Sequence, residues 1–129
     1  MMQFMSAFGS VSRADLKDCI ADENQIMYIV KKGDLSQAIG KQAINVHKLE
    51  RAFKRRIKMV EFNENVITFI LNIIAPLKVR EAQEEGSIII LTPIDSKTRG
   101  MLIGRAASNL RAIEAIAKRY FSITEIKVL

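Results

Sequence analysis

Two short tracts of the sequence combine residue types that can bind phosphate groups. Each places a glycine before a basic residue, in Ile39-Gly40-Lys41 and in Ile103-Gly104-Arg105. Backbone N–H groups at a helix N-terminus attract anions, and an adjacent cation neutralises one phosphate. Glycine permits a sharp turn and close approach of a sugar-phosphate chain, although a glycine that ends a helix for packing alone is the alternative for either tract. The candidate residues are Gly40, Lys41, Gln42, Ala43, Gly104, Arg105, Ala106 and Ala107.

Basic charge is concentrated in the segments that these tracts open. Residues 41–58 carry a net charge of +6 and residues 97–119 a net charge of +5, in a chain whose total is +6. Acidic residues at helical spacing are nearly absent from the first segment, which favours phosphate binding over a merely solvated helix face. Spacings of 3, 4 and 3 predict one helix face that follows phosphates beyond the turn. The candidates are Lys48, Arg51, Arg55 and Lys58, with Arg111 and Lys118 in the second segment.

An internal repeat relates the two tracts. A shift of 64 residues aligns seven identical residues within the 17 positions of 39–55, among them the glycine and an asparagine five residues after it. Chance explains this poorly, so a duplicated unit is predicted. We predict two domains, residues 1–62 and 63–129, with the structure of residues 1–12 left open.

Hydrophobic periodicity and turn residues predict the same order of elements in both halves. In the first half a hairpin of residues 14–20 and 25–31 precedes a helical turn that is capped near Asp34 and broken at Gly40, as the corresponding turn is at Gly104. A long amphipathic helix with its apolar stripe over 39–53 and a closing strand over 57–62 follow. In the second half the hairpin is 77–83 and 87–91 with its turn at 84–86, the cap is Asp95, the helix is 103–120 and the strand is 123–128. An apolar helix over 63–75 is predicted between the halves.

Composition bounds the class of protein. The chain has 129 residues, of which 49% are hydrophobic and 26% charged, which is enough to bury a core and excludes a disordered chain. The excess of basic residues favours a polyanionic partner, either nucleic acid or an anionic membrane. The longest apolar stretch, residues 66–77, is shorter than the roughly 20 residues that span a bilayer. With no recognisable signal peptide and a lone cysteine, the chain is predicted to be cytoplasmic.

Little in the sequence predicts catalysis. One histidine, His47, one cysteine, Cys19, no paired-carboxylate motif and no Walker sequence argue against an enzyme, and no cofactor or metal is predicted. His47 lies in the basic segment and is interpreted as a surface or nucleic-acid-facing residue. Cys19 is interpreted as a small core residue.

The order of hairpin, short helix, Ile-Gly-basic turn, long basic helix and strand, found twice, resembles tandem KH domains of type II. The tracts 30–41, 75–80 and 102–105, with Asn109-Leu110, are similar to the archaeal form of the NusA family. The resemblance implies an α+β fold of two small sheets packed on helices. It also implies single-stranded RNA as the partner and a role in transcription elongation, termination or antitermination, with RNA polymerase as a further partner. Candidates for an apolar groove wall are Leu35, Ile39, Ile44 and Ile103.

The chain departs from the KH pattern at one loop position. The KH loop is Gly-x-x-Gly, but Ala43 and Ala107 occupy its fourth place here. With right-handed helical dihedrals an alanine fits there, whereas a positive φ would strain the loop. This departure motivates an alternative function, a degenerate KH pair that serves as a protein-interaction scaffold on RNA polymerase or the ribosome.

Overall fold

The computed structural model describes residues 1–129 and divides them into two compact units, Met1–Asn63 and Glu64–Leu129. Both units run helix, strand, strand, helix, helix, strand. In unit 1 the elements are α1 Met2–Val11, β1 Leu16–Ala21, β2 Gln25–Val30, α2 Leu35–Ile39, α3 Ile44–Phe53 and β3 Arg56–Glu61. In unit 2 they are α4 Val66–Ile74, β4 Val79–Glu85, β5 Ile88–Pro93, α5 Ser96–Ile103, α6 Ser108–Lys118 and β6 Glu125–Val128.

Each unit has one three-stranded mixed sheet. The orders are β1-β2-β3 and β4-β5-β6, with the first pair antiparallel and the second pair parallel. Parallel strands cannot be joined by a tight turn, so the two helices between the second and third strands form the crossover. The predicted α+β class, with small sheets packed on helices, is confirmed.

The central strand anchors the core of unit 1. The run Ile26–Val30 is buried throughout, and Ile26, Tyr28 and Val30 belong to the same core cluster as Leu49 of α3. A buried phenol needs a hydrogen-bond partner. The Tyr28 hydroxyl finds it by donating to the Phe4 carbonyl of α1 at 2.7 Å.

In unit 2 the core holds residues of β5, α4 and α5. Ile89, Leu91 and Leu102 are buried, as is Phe69 of α4, whose ring meets Tyr120 edge to face at 5.6 Å. The side chain of Asn65 accepts a hydrogen bond from the Thr68 N–H at 2.9 Å and so caps the start of α4. No helix of either unit has the length and hydrophobicity that crossing a bilayer requires.

Several predicted boundaries differ from the structure. Residues 1–12, left open above, contain the ten-residue helix α1. The apolar helix predicted over residues 63–75 is α4, which is shorter and runs from Val66 to Ile74. The second hairpin turns later than predicted, because β4 continues to Glu85 and Gly86, at φ 61°, makes the bend. The glycines separate the short helices from the long ones, as predicted, but the long helices start later than the apolar periodicity indicates, at Ile44 and Ser108 after the loops.

The two predicted N-caps behave differently. The carboxylate of Asp95 accepts the Thr98 N–H at 2.7 Å, as a capping residue does. Asp34 occupies the corresponding position before α2, but its carboxylate accepts the N–H of Asp15 at 2.9 Å and makes no cap hydrogen bond. Asp34 is therefore the N-cap residue of α2, as predicted, but its side chain does not cap the helix because it bonds to a neighbouring segment instead.

Candidate nucleic-acid interface

Each unit presents one four-residue loop between its second and third helices. Residues 40–43 separate α2 from α3, and residues 104–107 separate α5 from α6. The first residue of each loop has a positive φ, 80° at Gly40 and 74° at Gly104, with ψ of 169° and 177°. The two loops therefore begin with the same backbone shape, one that favours glycine.

The third and fourth loop residues are left-handed in both loops. Gln42 and Ala43 have φ of 54° and 59°, and Ala106 and Ala107 have φ of 54° and 61°. Left-handed dihedrals are unfavourable for residues with a Cβ atom. The question that the alanines raise in the sequence is thus answered, since the fourth position has positive φ and the loop is strained there.

Glycine is required at both positions for packing as well as for the positive φ angle. A Cβ atom added to Gly40 would lie 2.8 Å from Nδ2 of Asn45, and one added to Gly104 would lie 2.8 Å from Cβ of Asn109. These distances are shorter than side chains tolerate. In each unit an asparagine therefore packs against the glycine, in the space that a Cβ atom would occupy. The glycines thus have a packing role, which is the alternative to close approach of a phosphate.

These asparagines connect the two helices on either side of each loop. Nδ2 of Asn45 donates to the carbonyls of Gln37 at 3.3 Å and Ala38 at 3.1 Å. In unit 2, Nδ2 of Asn109 donates to the carbonyls of Met101 at 2.9 Å and Leu102 at 3.2 Å. The carbonyls of a last helical turn lack intrahelical partners, so the amides satisfy them. Sequence reasoning assigned no role to these residues, although the repeat aligns them as identical.

The cations of the loops are open to solvent. Lys41 and Arg105, each directly after a glycine, are exposed, and so are Gln42 and Ala106, while Ala43 and Ala107 are half-buried. The candidates Lys48 and Arg51 are exposed on α3, and Arg111 and Lys118 are exposed on α6. Lys118 lies 3.7 Å from the Glu114 carboxylate, an ion pair within one helix turn.

One predicted feature of α3 is wrong. The spacing of Lys48, Arg51, Arg55 and Lys58 requires a helix through residue 58, but α3 ends at Phe53 because Lys54, at φ 55°, turns the chain out of the helix. Arg55 is half-buried, with its guanidinium 5.0 Å from the centre of the Phe4 ring. Lys58 lies in β3, where burial and then the neighbouring Arg56 lower the pKa of its ammonium group. Only Lys48 and Arg51 share a helix face.

The apolar candidates beside the loops are mostly covered. Leu35, Ile39 and Ile103 are half-buried, and Leu35 packs against the core of unit 1. Ile44, the first residue of α3, is 48% exposed. It follows the loop directly and is the one apolar candidate that solvent reaches freely.

The remaining reactive residues do not form a catalytic arrangement. His47 is exposed on α3, with Nδ1 3.4 Å from the Glu50 carboxylate. Cys19 is buried, and burial, followed by the charge of Asp18, raises the pKa of its thiol. No three of the histidine, cysteine and acidic side chains lie together as metal ligands would.

The repeated fold and the paired loops define a class, that of proteins with tandem KH-like domains. The fold has a match in a crystal structure of APE1850, with a TM-score of 0.74 and 19% sequence identity, over 99% of this chain and 96% of that one. At this identity the likeness concerns the fold alone. No protein-family model matches the chain.

Sequence relatives identify the family within that class. The probable transcription termination protein NusA of Methanocaldococcus jannaschii is 30% identical over 125 residues, which are 95% of this chain and 68% of that protein. The protein of the same name from Halococcus morrhuae is 26% identical over 98% of this chain and 93% of its own length. That of Thermoplasma acidophilum is 22% identical, over 98% and 90%. The chain belongs to the archaeal NusA family, as its resemblance predicts, and this is a family of transcription factors rather than enzymes.

Proposed function

We propose that the chain is a transcription termination factor that binds single-stranded RNA through its two loops. The family supports the role in transcription, because the relatives are named as probable transcription termination proteins. The observation that carries the RNA-binding part is the repetition of one loop shape with an exposed cation at its second position, Lys41 in one unit and Arg105 in the other. A cation repeated at a fixed place on a fixed backbone is suited to a repeating polyanion.

Each loop holds the RNA backbone by two means. The cation neutralises a phosphate, and each loop lies directly before the N-terminus of a long helix, α3 or α6, whose dipole attracts anions. KH loops of this kind hold about four nucleotides of single strand. The exposed apolar side chain of Ile44 offers a surface for a base next to the first loop.

The basic helices extend the contact beyond the loops. Lys48 and Arg51 are exposed on α3, three residues apart, and Arg111 and Lys118 are exposed on α6, seven residues apart. Both spacings place the two side chains on one helix face. These residues contribute affinity without sequence preference, because phosphates carry no sequence information. The transcript emerging from RNA polymerase is the proposed RNA, and the polymerase is proposed as a partner on family membership.

The test is fluorescence anisotropy with a labelled unstructured RNA, titrated at two salt concentrations. The wild type is expected to bind saturably, with a slope of log affinity against log salt of roughly −3 to −4, as about five neutralised phosphates of a single strand require. The double variant Lys41→Asp/Arg105→Asp is expected to lose this binding. Duplex DNA of the same length serves as the control ligand.

A matched variant controls for net charge. Arg13→Asp/Lys127→Asp reverses one exposed basic residue in each unit outside the loops and lowers the net charge by the same amount. It is expected to retain most of the affinity. Equal losses in both double variants would contradict a role of the loops, and would indicate attraction by the overall charge alone.

The left-handed alanines favour a second candidate, the protein-interaction scaffold. If the strain at Ala43 and Ala107 prevents the loops from accepting RNA, the wild type binds weakly and the charge reversals change nothing. Ala43→Gly/Ala107→Gly, which removes both Cβ atoms, then separates the two functions. Binding gained only by the glycine variant would support the scaffold, whereas binding by both proteins supports the RNA-binding factor.

A further inference from the structure

The loops combine strain with exposure, and this combination needs an explanation. Gln42 and Ala43 are both left-handed without being glycines, and Ala106 and Ala107 repeat the pattern. Strained backbone of this kind persists only where the surrounding structure holds it in place. The loop residues are half-buried or exposed, so few contacts of their own can do so.

The asparagine that follows each loop supplies that restraint. Its amide is two residues beyond the left-handed alanine and donates to two carbonyls of the helix before the loop. Both ends of the four-residue loop are thereby held at a fixed separation. Two backbone hydrogen bonds restrain the rest of the first loop: the Gly40 N–H donates to the Ser36 carbonyl at 3.0 Å, and the Ala43 N–H donates to the Gly40 carbonyl at 3.1 Å.

We propose that Asn45 and Asn109 are positioning residues for RNA binding, which keep the loops in the shape that presents Lys41 and Arg105. The part that concerns RNA rests on the proposed function. Neither asparagine needs to touch RNA, because its amide hydrogens are already donated to carbonyls. Gly40 and Gly104 contribute to the same restraint, because any side chain at these positions would displace the asparagine.

The two asparagines differ in burial, so their substitution by alanine is expected to affect the two loops to different extents. Asn45 is buried at 7% exposure, and its hydrogen bond to the Ala38 carbonyl at 3.1 Å is buried as well. Asn109 is exposed, and one of its two bonds lies at the surface. A carbonyl left without a partner is more costly where water cannot replace the donor. Asn45→Ala should therefore disturb its loop more than Asn109→Ala.

The experiment uses nuclear magnetic resonance and RNA affinity on the full chain, in wild type, Asn45→Ala and Asn109→Ala. Val60→Ala, at a buried position of β3, is the control for general loss of stability in unit 1. In Asn45→Ala the amide resonances of Gly40, Lys41 and Gln42 are expected to shift or broaden, and in Val60→Ala to stay in place. RNA affinity is expected to fall about tenfold in Asn45→Ala, because a loop that samples several shapes is competent to bind for only part of the time.

The outcomes separate this proposal from the proposed function. Unmoved loop resonances in both asparagine variants would overturn the positioning role, whatever happens to affinity. Disturbed loops with unchanged RNA affinity would overturn the link to RNA. If the wild type itself binds no RNA, the proposed function fails, while the resonances still decide whether the asparagines hold the loops. Should Asn45→Ala fail to fold, the exposed Asn109 supplies the same test in unit 2.

Discussion

At the scale of single residues, the fourth loop position has the largest conformational consequence. Ala43 and Ala107 take a backbone shape that glycine adopts without penalty and alanine does not. Restoring glycine there removes a steric conflict with the chain's own backbone. The effect belongs to the loops themselves and is independent of any ligand.

Ala43→Gly is predicted to raise the free energy of unfolding by up to about 1 kcal/mol, because the relief of left-handed strain exceeds the entropy that glycine adds to the unfolded chain. Urea denaturation followed by circular dichroism measures it. Ala112→Gly, at an exposed position in the interior of α6, is the opposite case and should lower the same quantity by about 1 kcal/mol. A destabilised Ala43→Gly variant would contradict the account of loop strain.

The cap of α5 makes stability depend on pH. Hydrogen bonds from the backbone N–H and the hydroxyl of Thr98 lower the pKa of Asp95 in the folded chain. A carboxylate whose pKa is lower when folded stabilises the fold above its unfolded pKa, and this contribution is lost as the pH falls through the folded value. Thermal unfolding of wild type and Asp95→Asn should therefore differ most above about pH 5, and the difference should shrink as the pH falls below the ordinary aspartate pKa of about 3.9. A constant difference across that range would show that the charge of Asp95 is not involved.

At the scale of elements, α1 shows that two buried side chains are enough to hold a helix against the rest of its unit. Only Phe4 and Phe8 are buried in it, one turn apart, and Phe8 lies 5.0 Å from the Tyr28 ring. Three exposed methionines and a glycine surround them in sequence, so no helical stripe stands out. The helix is specified by what it covers in unit 1 more than by its own periodicity.

Phe8→Ala is predicted to lower the free energy of unfolding by about 3–5 kcal/mol, since it removes a fully buried ring. Met5→Ala, at 42% exposure in the same helix, should change it by no more than about 0.5 kcal/mol. Denaturant titration of both variants gives the comparison. Similar values for the two would mean that α1 does not pack on unit 1 as described.

The order of elements was predictable from sequence, and the reasons are visible in particular residues. The apolar run of residues 26–30 predicted a buried strand, and the repeat at Gly40 and Gly104 located both loops. The apolar periodicity placed the end of α3 correctly at residue 53, but the left-handed Lys54 that separates Arg55 and Lys58 from its basic face was not predictable, because a left-handed lysine has no sign in the sequence comparable to glycine. Nor was the left-handed pair Gln42 and Ala43, since both residue types prefer right-handed helices and contacts such as that of the Asn45 amide with the Ala38 carbonyl are not visible in the sequence.

At the scale of the whole molecule, charge is divided unequally between the units. Residues 1–63 hold eleven basic and seven acidic residues, a net charge of +4, and residues 64–129 hold nine and seven, a net charge of +2. The first unit therefore offers the stronger attraction for a polyanion. The two loops are alike in shape, so any difference between them in affinity should follow charge.

We predict that Lys41→Asp alone weakens RNA binding more than Arg105→Asp alone. Lys41→Asp reverses a charge in the more basic unit, where a bound phosphate is attracted most strongly. The dependence of log affinity on log salt should therefore be shallower for Lys41→Asp than for Arg105→Asp. Anisotropy titrations at two salt concentrations compare the two. A larger loss for Arg105→Asp would show that local geometry outweighs the charge of the unit.

The parallel pairing in each sheet has a consequence for synthesis on the ribosome. In unit 1 the partners of β2 on one side are Arg56 to Glu61, which are made about thirty residues later. Until that segment leaves the exit tunnel, the apolar strand Ile26–Val30 is a sheet edge with unpaired backbone groups, a template for wrong pairing with another chain. Emergence of residues 56–61 from the tunnel is thus the event that closes this edge, and a translational pause before it would lengthen the period in which the nascent unit is prone to aggregate.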